Sequence, residues 1–133
     1  MGDEVPVIRV VSGEIQRDGR YLLAQRSAHA VLPLLWEFPG GRVRDGETDE
    51  EALARSVRER VGVVATVLGQ VLEVEHDYPD YRVVLAVYRV DIGEALPFAV
   101  AVNAVAWVAP DAFGDYPFPG ADRKSMQALL SDA

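Results

Sequence analysis

The chain has no cysteine, which excludes disulfides, thiolate nucleophiles and cysteine metal sites. Its two histidines, His29 and His76, stand apart in the sequence and read as loop histidines without metal-ligand company. Neither a Ser-His-Asp nor a Cys-His arrangement is visible. No stretch approaches the ~20 apolar residues of a membrane span. The start, Met1, Gly2, Asp3 and Glu4, lacks the basic-then-apolar pattern of a secretory signal. The expectation is a cytoplasmic protein without a membrane partner. Positive charge is also scarce, with 13 Lys and Arg against 21 Asp and Glu and a net charge of −8. That balance argues against a nucleic-acid polymer as partner and leaves room for a local basic pocket around a small phosphorylated ligand. Internal repeats, linkers and low-complexity tails are absent.

What is present is one domain's worth of chain: 133 residues, 50% apolar and 26% charged, expected to fold as a single unit over 1–133. Val5 to Ile15 is β-rich, and Arg17-Asp18-Gly19-Arg20 is a hairpin signal leading into Tyr21 to Arg26. Ser27 to Leu35, broken by Pro33, reads as a loop. Phe38-Pro39-Gly40-Gly41 reads as a tight turn, where glycine permits positive φ and close approach to a ligand. The clearest helix runs from Asp49 to Val61. Thr48 and Glu51 make a capping box, Asp49, Glu50 and Glu51 sit at its positive end, and Gly62 supplies the stop.

Val63 to Glu75 reads as a strand bent at Gly69, His76 to Asp80 as a turn, and Tyr81 to Asp91 as a β-branched strand. A further strand is expected around Val102 to Val108, with Trp107 in the core. A last helix is expected from Asp122 to Leu130, with Met126, Leu129 and Leu130 inward. The order strand-strand-helix-strand-strand-strand-helix predicts an α+β fold with a mixed sheet between helices.

The most specific pattern lies in 36–63: Trp36-Glu37-Phe38-Pro39-Gly40-Gly41, then five residues to Glu47, seven to Arg55, and a helical segment closing on Gly62-Val63. This resembles the Nudix box of MutT-like proteins, and the resemblance spans essentially the whole chain. It implies a Nudix-type α/β/α sandwich with the Nudix helix beside the cleft, Mg²⁺ as cofactor, and pyrophosphate hydrolysis of nucleotides. The family pattern places three glutamates on the helix, and here they read Ser56, Glu59 and Arg60. One turn of helix brings these positions together on one metal cluster. Two carboxylates are therefore lost and one guanidinium gained. A cation held ~5 Å from a divalent ion would be repelled by several kcal/mol at an effective dielectric near 20, so Mg²⁺-dependent turnover is expected to be reduced or absent.

Arginine at position 60 has an alternative use, because its planar fork suits phosphate oxygens. It also has a bland reading as a solvated surface charge. By resemblance, Gly40 and Gly41 form the diphosphate-side turn, Arg26 is a basic residue near the phosphates, and Glu59 is the remaining metal ligand and catalytic candidate. Glu47, the first acidic position of the box, is read as structural ahead of catalytic. Arg55 reads as a helix-face partner of Glu59. Relatives read the base with an aromatic side chain and an Asn or Asp before the last helix, and the matching positions are Tyr78 and Asp122. Either also has an ordinary reading, as a turn aromatic and as a helix N-cap.

From Leu96 to Pro110 the chain holds no charged residue, so the acidic residue that the family often places in this loop is missing. Leu96 to Val100 reads as an exposed contact patch for a homodimer or a protein partner. Three functions follow as expectations. One is a nucleotide-binding protein with hydrolysis reduced or absent. The second is an active pyrophosphohydrolase that rebuilds its metal site from Glu59, Glu47 and Glu75 or Glu51. The third is a non-enzymatic interaction module.

Overall fold

The structure, a computed structural model, describes residues 5–131. Strand β1 (Val7–Arg17) turns through Asp18 and Gly19, both at positive φ (53° and 78°), into β2 (Arg20–Gln25). This is the left-handed two-residue hairpin turn that Asp-Gly favours. Two short strands follow, β3 (Trp36–Glu37) and β4 (Gly40–Arg42), then helix α1 (Asp49–Val61). The long pair β5 (Thr66–Tyr78) and β6 (Tyr81–Asp91) leads to β7 (Ala104–Val108), a 3₁₀ turn over Pro110–Asp115, and α2 (Gly120–Ser131).

β1 organises the sheet. Its first nine residues run parallel to β6, its tip pairs antiparallel with β2, and Val10 to Ser12 pair with β4. β5 adds to β6, while β3 and β7 add to β2. The sheet is mixed, as expected, and the alternation of β6 shows how helices cover both faces. Ala86, Tyr88 and Val90 join the core beneath α1 with Leu53, Val57 and Val61. Val83, Leu85 and Val87 point the other way, against Ala121 of α2. A third cluster, of Leu23, Phe38, Phe113 and Phe118, fills the end of the sheet and takes Met126 and Leu129 from α2.

Helix α1 has the bounds its local signals predict. Thr48 Oγ1 accepts from the Glu51 amide and Glu51 returns the bond to the Thr48 amide, while Gly62 closes the helix at φ 73°. Its N-terminus is fastened to the sheet through Asp49. That carboxylate accepts from Arg9 Nε and Nη2 at 2.7 and 2.6 Å and from the Tyr88 hydroxyl at 2.7 Å.

Several expectations are corrected. Gly40 does not need positive φ: it lies in β4, where a Cβ would run into the Val11 carbonyl oxygen and Ser12 of the paired strand. Gly41 sits beside the C-terminal half of α1, facing Ser56 and Arg60. The turn after β5 is confined to Pro79 and Asp80, because His76 to Tyr78 still pair with β6. His76 is therefore a strand residue, with its imidazole against Gly120 and 4.7 Å from the Tyr78 ring. The irregularity near Gly69 is a slip of pairing register between Val67 and Leu72. α2 begins at Gly120, so Asp122 lies within its first turn rather than capping it. Leu130 is exposed.

Candidate active site

Two adjoining cavities open beside β4 and the C-terminal half of α1. The larger, about 310 Å³, is floored by aliphatic residues of β1 and β6, with Gly40 and Gly41 on its wall and Tyr78, Tyr81 and Asp122 at its far side. The smaller, about 220 Å³, is bounded by Ser27, Glu59, Ala101 and Val102. Arg26, Glu37 and Arg60 belong to both. The fold thus brings Arg26, Gly40, Gly41, Arg60, Tyr78 and Asp122, far apart in sequence, around one cleft. Glu59 stands in the smaller cavity, and Glu47 lines neither.

Glu37 is the residue that sequence reasoning left unassigned. It follows Trp36 in β3 and is nearly buried, so its carboxylate points into the shared wall. Arg26 Nη1 donates to both its oxygens at 3.2 and 3.3 Å, and Arg60 Nη1 lies 3.8 Å away. Burial raises the Glu37 pKa, and the two guanidinium groups oppose that rise. Arg26 is itself oriented by donating Nε to the Val31 carbonyl at 2.8 Å. Asp122 is also buried, and its pKa is pushed well above the ordinary carboxylate value by burial and then by the negative charge of Glu37. Tyr78 stacks on Tyr81 with ring centres 4.9 Å apart, and its hydroxyl accepts from the Ala121 amide.

The other box residues are committed to the scaffold. Glu47 accepts from Arg55 Nε and Nη2 at 2.7 and 2.9 Å and from the Arg44 amide at 2.9 Å. These bonds, the Arg55 pair first, hold its pKa down at about 2. Arg55 also reaches the Arg42 carbonyl and Glu59, so it ties the loop before α1 to the helix surface. Glu59 is half-exposed and faces Arg55 at 3.1 Å and Arg44 at 3.9 Å. Ser56 is fully buried against Gly41, and its hydroxyl has no hydrogen-bond partner among the described residues.

The divalent cation implied by the resemblance asks for several oxygen donors at one point. The donor set does not fit it. Among the described residues no three His, Asp or Glu side chains converge as a metal site. Glu51 is used in the capping box and Glu75 faces Arg82 from β5, so neither is placed to complete the set with Glu59.

A family model described as a NUDIX domain matches residues 11–128. The chain belongs to the Nudix family. It is 34% identical over 125 residues to a protein named CTP pyrophosphohydrolase from Escherichia coli K12, covering 94% of this chain and 93% of the relative. A Haemophilus influenzae protein named 8-oxo-dGTP diphosphatase is 33% identical, with 95% and 93% covered. The solution structure of the E. coli ORF135 protein superposes with a TM-score of 0.82 at 33% identity, covering 96% of this chain and 91% of that one. The MutT protein of Methanosarcina mazei Go1 superposes at 0.85 with 24% identity, over 97% and 96%, which speaks to the fold alone.

Proposed function

We propose that this Nudix domain binds nucleotides, with the base in the larger cavity and the phosphates on Arg26 and Arg60, and that Mg²⁺-dependent pyrophosphohydrolysis is reduced or absent. The observation that carries the reading is Arg60, standing at the position of a box glutamate and directed toward Glu37 at 3.8 Å. A guanidinium there supplies the counter-charge that a metal would otherwise supply, and it holds phosphate oxygens through paired N–H donors.

Tyr78 offers an aromatic face for stacking, and Asp122 with Glu37 offers two carboxyl groups to the polar edge of a base. Glu59 and Glu47 have no metal-free catalytic task in this reading. Glu47 serves the fold through Arg55.

Calorimetry with CTP and 8-oxo-dGTP in excess chelator, beside pyrophosphate release in Mg²⁺ or Mn²⁺, tests the reading. Heat of binding in chelator, weakened by Arg60→Ala, with little pyrophosphate released, is the expected result. A second reading, an active hydrolase, draws on the 34% identity with a CTP pyrophosphohydrolase over nearly the full chain. Brisk metal-dependent release by the unmodified protein would establish it and reject the first.

A further inference from the structure

The floor of the larger cavity is built from two strands in register. Ile8, Val10 and Ser12 of β1 pair with Val83, Leu85 and Val87 of β6, and strand alternation turns these side chains to the face that α2 covers. Ile8, Val10, Ser12, Val83 and Leu85 line the cavity, and Ser12 alone among them is not aliphatic. It pairs with Gly40 as well, so it stands at the β4 end of the floor. Tyr78 and Tyr81, which pair with each other, stand at the opposite end beyond Val83.

Ser12 is 2% exposed, and its hydroxyl has no hydrogen-bond partner among the described residues. Leaving a buried hydroxyl unpaired is unfavourable, and alanine at this position would avoid it. At the same end of the cavity Arg26 is bonded to Glu37, with Arg60 facing the same carboxylate. Ser12 is therefore the polar group of the floor that gives up no protein partner when a ligand arrives.

We propose that Ser12 is a specificity-determining residue: the larger cavity takes a flat heteroaromatic ring resting on Val10 and Leu85, whose polar edge supplies the partner of the Ser12 hydroxyl. The proposal deepens the nucleotide-binding reading and rests on it, the ring being the base. Ser12 lies two residues along β1 from Val10, about 6.8 Å. That leaves room for half a ring and one hydrogen bond of about 2.8 Å. A hydroxyl both donates and accepts, so it pairs with a ring carbonyl, a ring nitrogen or an amino group, and it disfavours an apolar edge.

The test compares Ser12→Ala with Ser125→Ala. Ser125 in α2 is also fully buried with an unpartnered hydroxyl among the described residues, but it lines neither cavity. Each variant removes an unpaired buried hydroxyl, so each is expected to raise Tm by roughly 3–5 °C. Only Ser12→Ala is expected to weaken nucleotide binding, by roughly fivefold. Calorimetry in excess chelator reads this with CTP and 8-oxo-dGTP, taking whichever the parent binds more tightly. Unchanged affinity in Ser12→Ala, or an equal loss in both variants, overturns the assignment while nucleotide binding stands. A lower Tm in Ser12→Ala overturns it too, since the hydroxyl would then already have a partner in the free protein. If neither nucleotide binds the parent, the nucleotide-binding reading fails and the inference fails with it.

Discussion

Restoring both missing carboxylates, Ser56→Glu with Arg60→Glu, should convert a cation-lined wall into a metal site, and the effect can be sized. Arg60 lies 3.8 Å from the Glu37 carboxylate. Coulomb's law at an effective dielectric near 20 gives about 4 kcal/mol for such a pair before desolvation. The Arg60 side chain is 35% exposed, so its net value is nearer about 1 kcal/mol. Position 56 is 1% exposed and faces Gly41. A glutamate there must hold its charge in a buried wall already containing Glu37, at a cost of about 2–4 kcal/mol unless a cation joins it.

The double variant is therefore expected to be less stable than the parent in chelator, and to regain stability as Mg²⁺ or Mn²⁺ is added. With 10 mM metal and a Kd of about 1 mM, linkage returns about 1.4 kcal/mol, a rise in Tm of about 5 °C for a domain of this size. Ser56→Glu alone or Arg60→Glu alone should respond less. The assay is thermal unfolding against metal concentration, read by circular dichroism. A folded double variant with no greater metal response than the parent would refute the reasoning. A parent that itself rises by several degrees would do so too, since it would mean that Glu59 and its surroundings already gather a metal.

Other expectations are structural. Asp49 accepts from Arg9 and Tyr88, and the Arg9 bonds lead in holding its pKa below the ordinary aspartate value. Its stabilisation is present above the unfolded pKa near 3.9 and is lost as pH falls through the lower folded value. Asp49→Asn should therefore cost about 1–2 kcal/mol at pH 7, with the gap closing in acid; denaturant titrations at pH 7 and pH 3 read it, and a gap that stays constant contradicts the clamp. Gly62→Ala should cost more than the ~1–2 kcal/mol of left-handed backbone, because a Cβ would also meet the Phe98 ring at 2.5 Å. A Tm unchanged in that variant would show that the loop moves aside freely. Leu96, Phe98 and Val100 are each more than half exposed. Phe98→Asp should lower self-association in sedimentation if this patch joins two copies, and a monomeric parent at high concentration removes that use.

How much of this was legible in the sequence depended on whether the cause was local. Thr48, Glu51 and Gly62 specify α1 through bonds spanning only a few residues, so its bounds could be read directly. The register slip near Gly69 and the continuation of β5 through Tyr78 are set by pairing with β6, which no window of β5 contains. Glycine at position 40 was visible, but its reason was not, since the obstructing oxygen belongs to Val11 on another strand. Glu37 is the instructive omission. It sits in a conspicuous motif, between two aromatic residues, and only folding reveals that Arg26 and Arg60 converge on it. A charged residue amid a core-forming aromatic run was the available signal, because such a charge persists in a core only when it is paired.

Asp122 presents a different kind of cost. It is 9% exposed and shares its surroundings with Glu37, while Arg26, the cation that opposes the rise in its pKa, is already donating to Glu37. Burial first and Glu37 second raise its pKa well above the ordinary aspartate value. A carboxyl with a raised folded pKa contributes nothing below its unfolded pKa near 3.9, where both states hold the proton. Above that pH the folded state must retain a proton that the unfolded state gives up, or carry a buried charge. Stability therefore falls as pH rises from about 4 toward the folded pKa, by about 1.4 kcal/mol for each unit of elevation.

Asparagine has nearly the same shape and no charge. Asp122→Asn should match the parent near pH 4 and exceed it increasingly at neutral and higher pH. If Asp122 reads the base, the same variant should bind nucleotide differently from the parent, which is how a destabilising acid comes to be kept at a binding site. Thermal unfolding of both proteins between pH 4 and pH 8 decides the stability claim. Parallel curves, or a variant less stable than the parent at pH 8, would mean that Asp122 holds its charge on favourable terms and that the wall of the larger cavity is not strained by it.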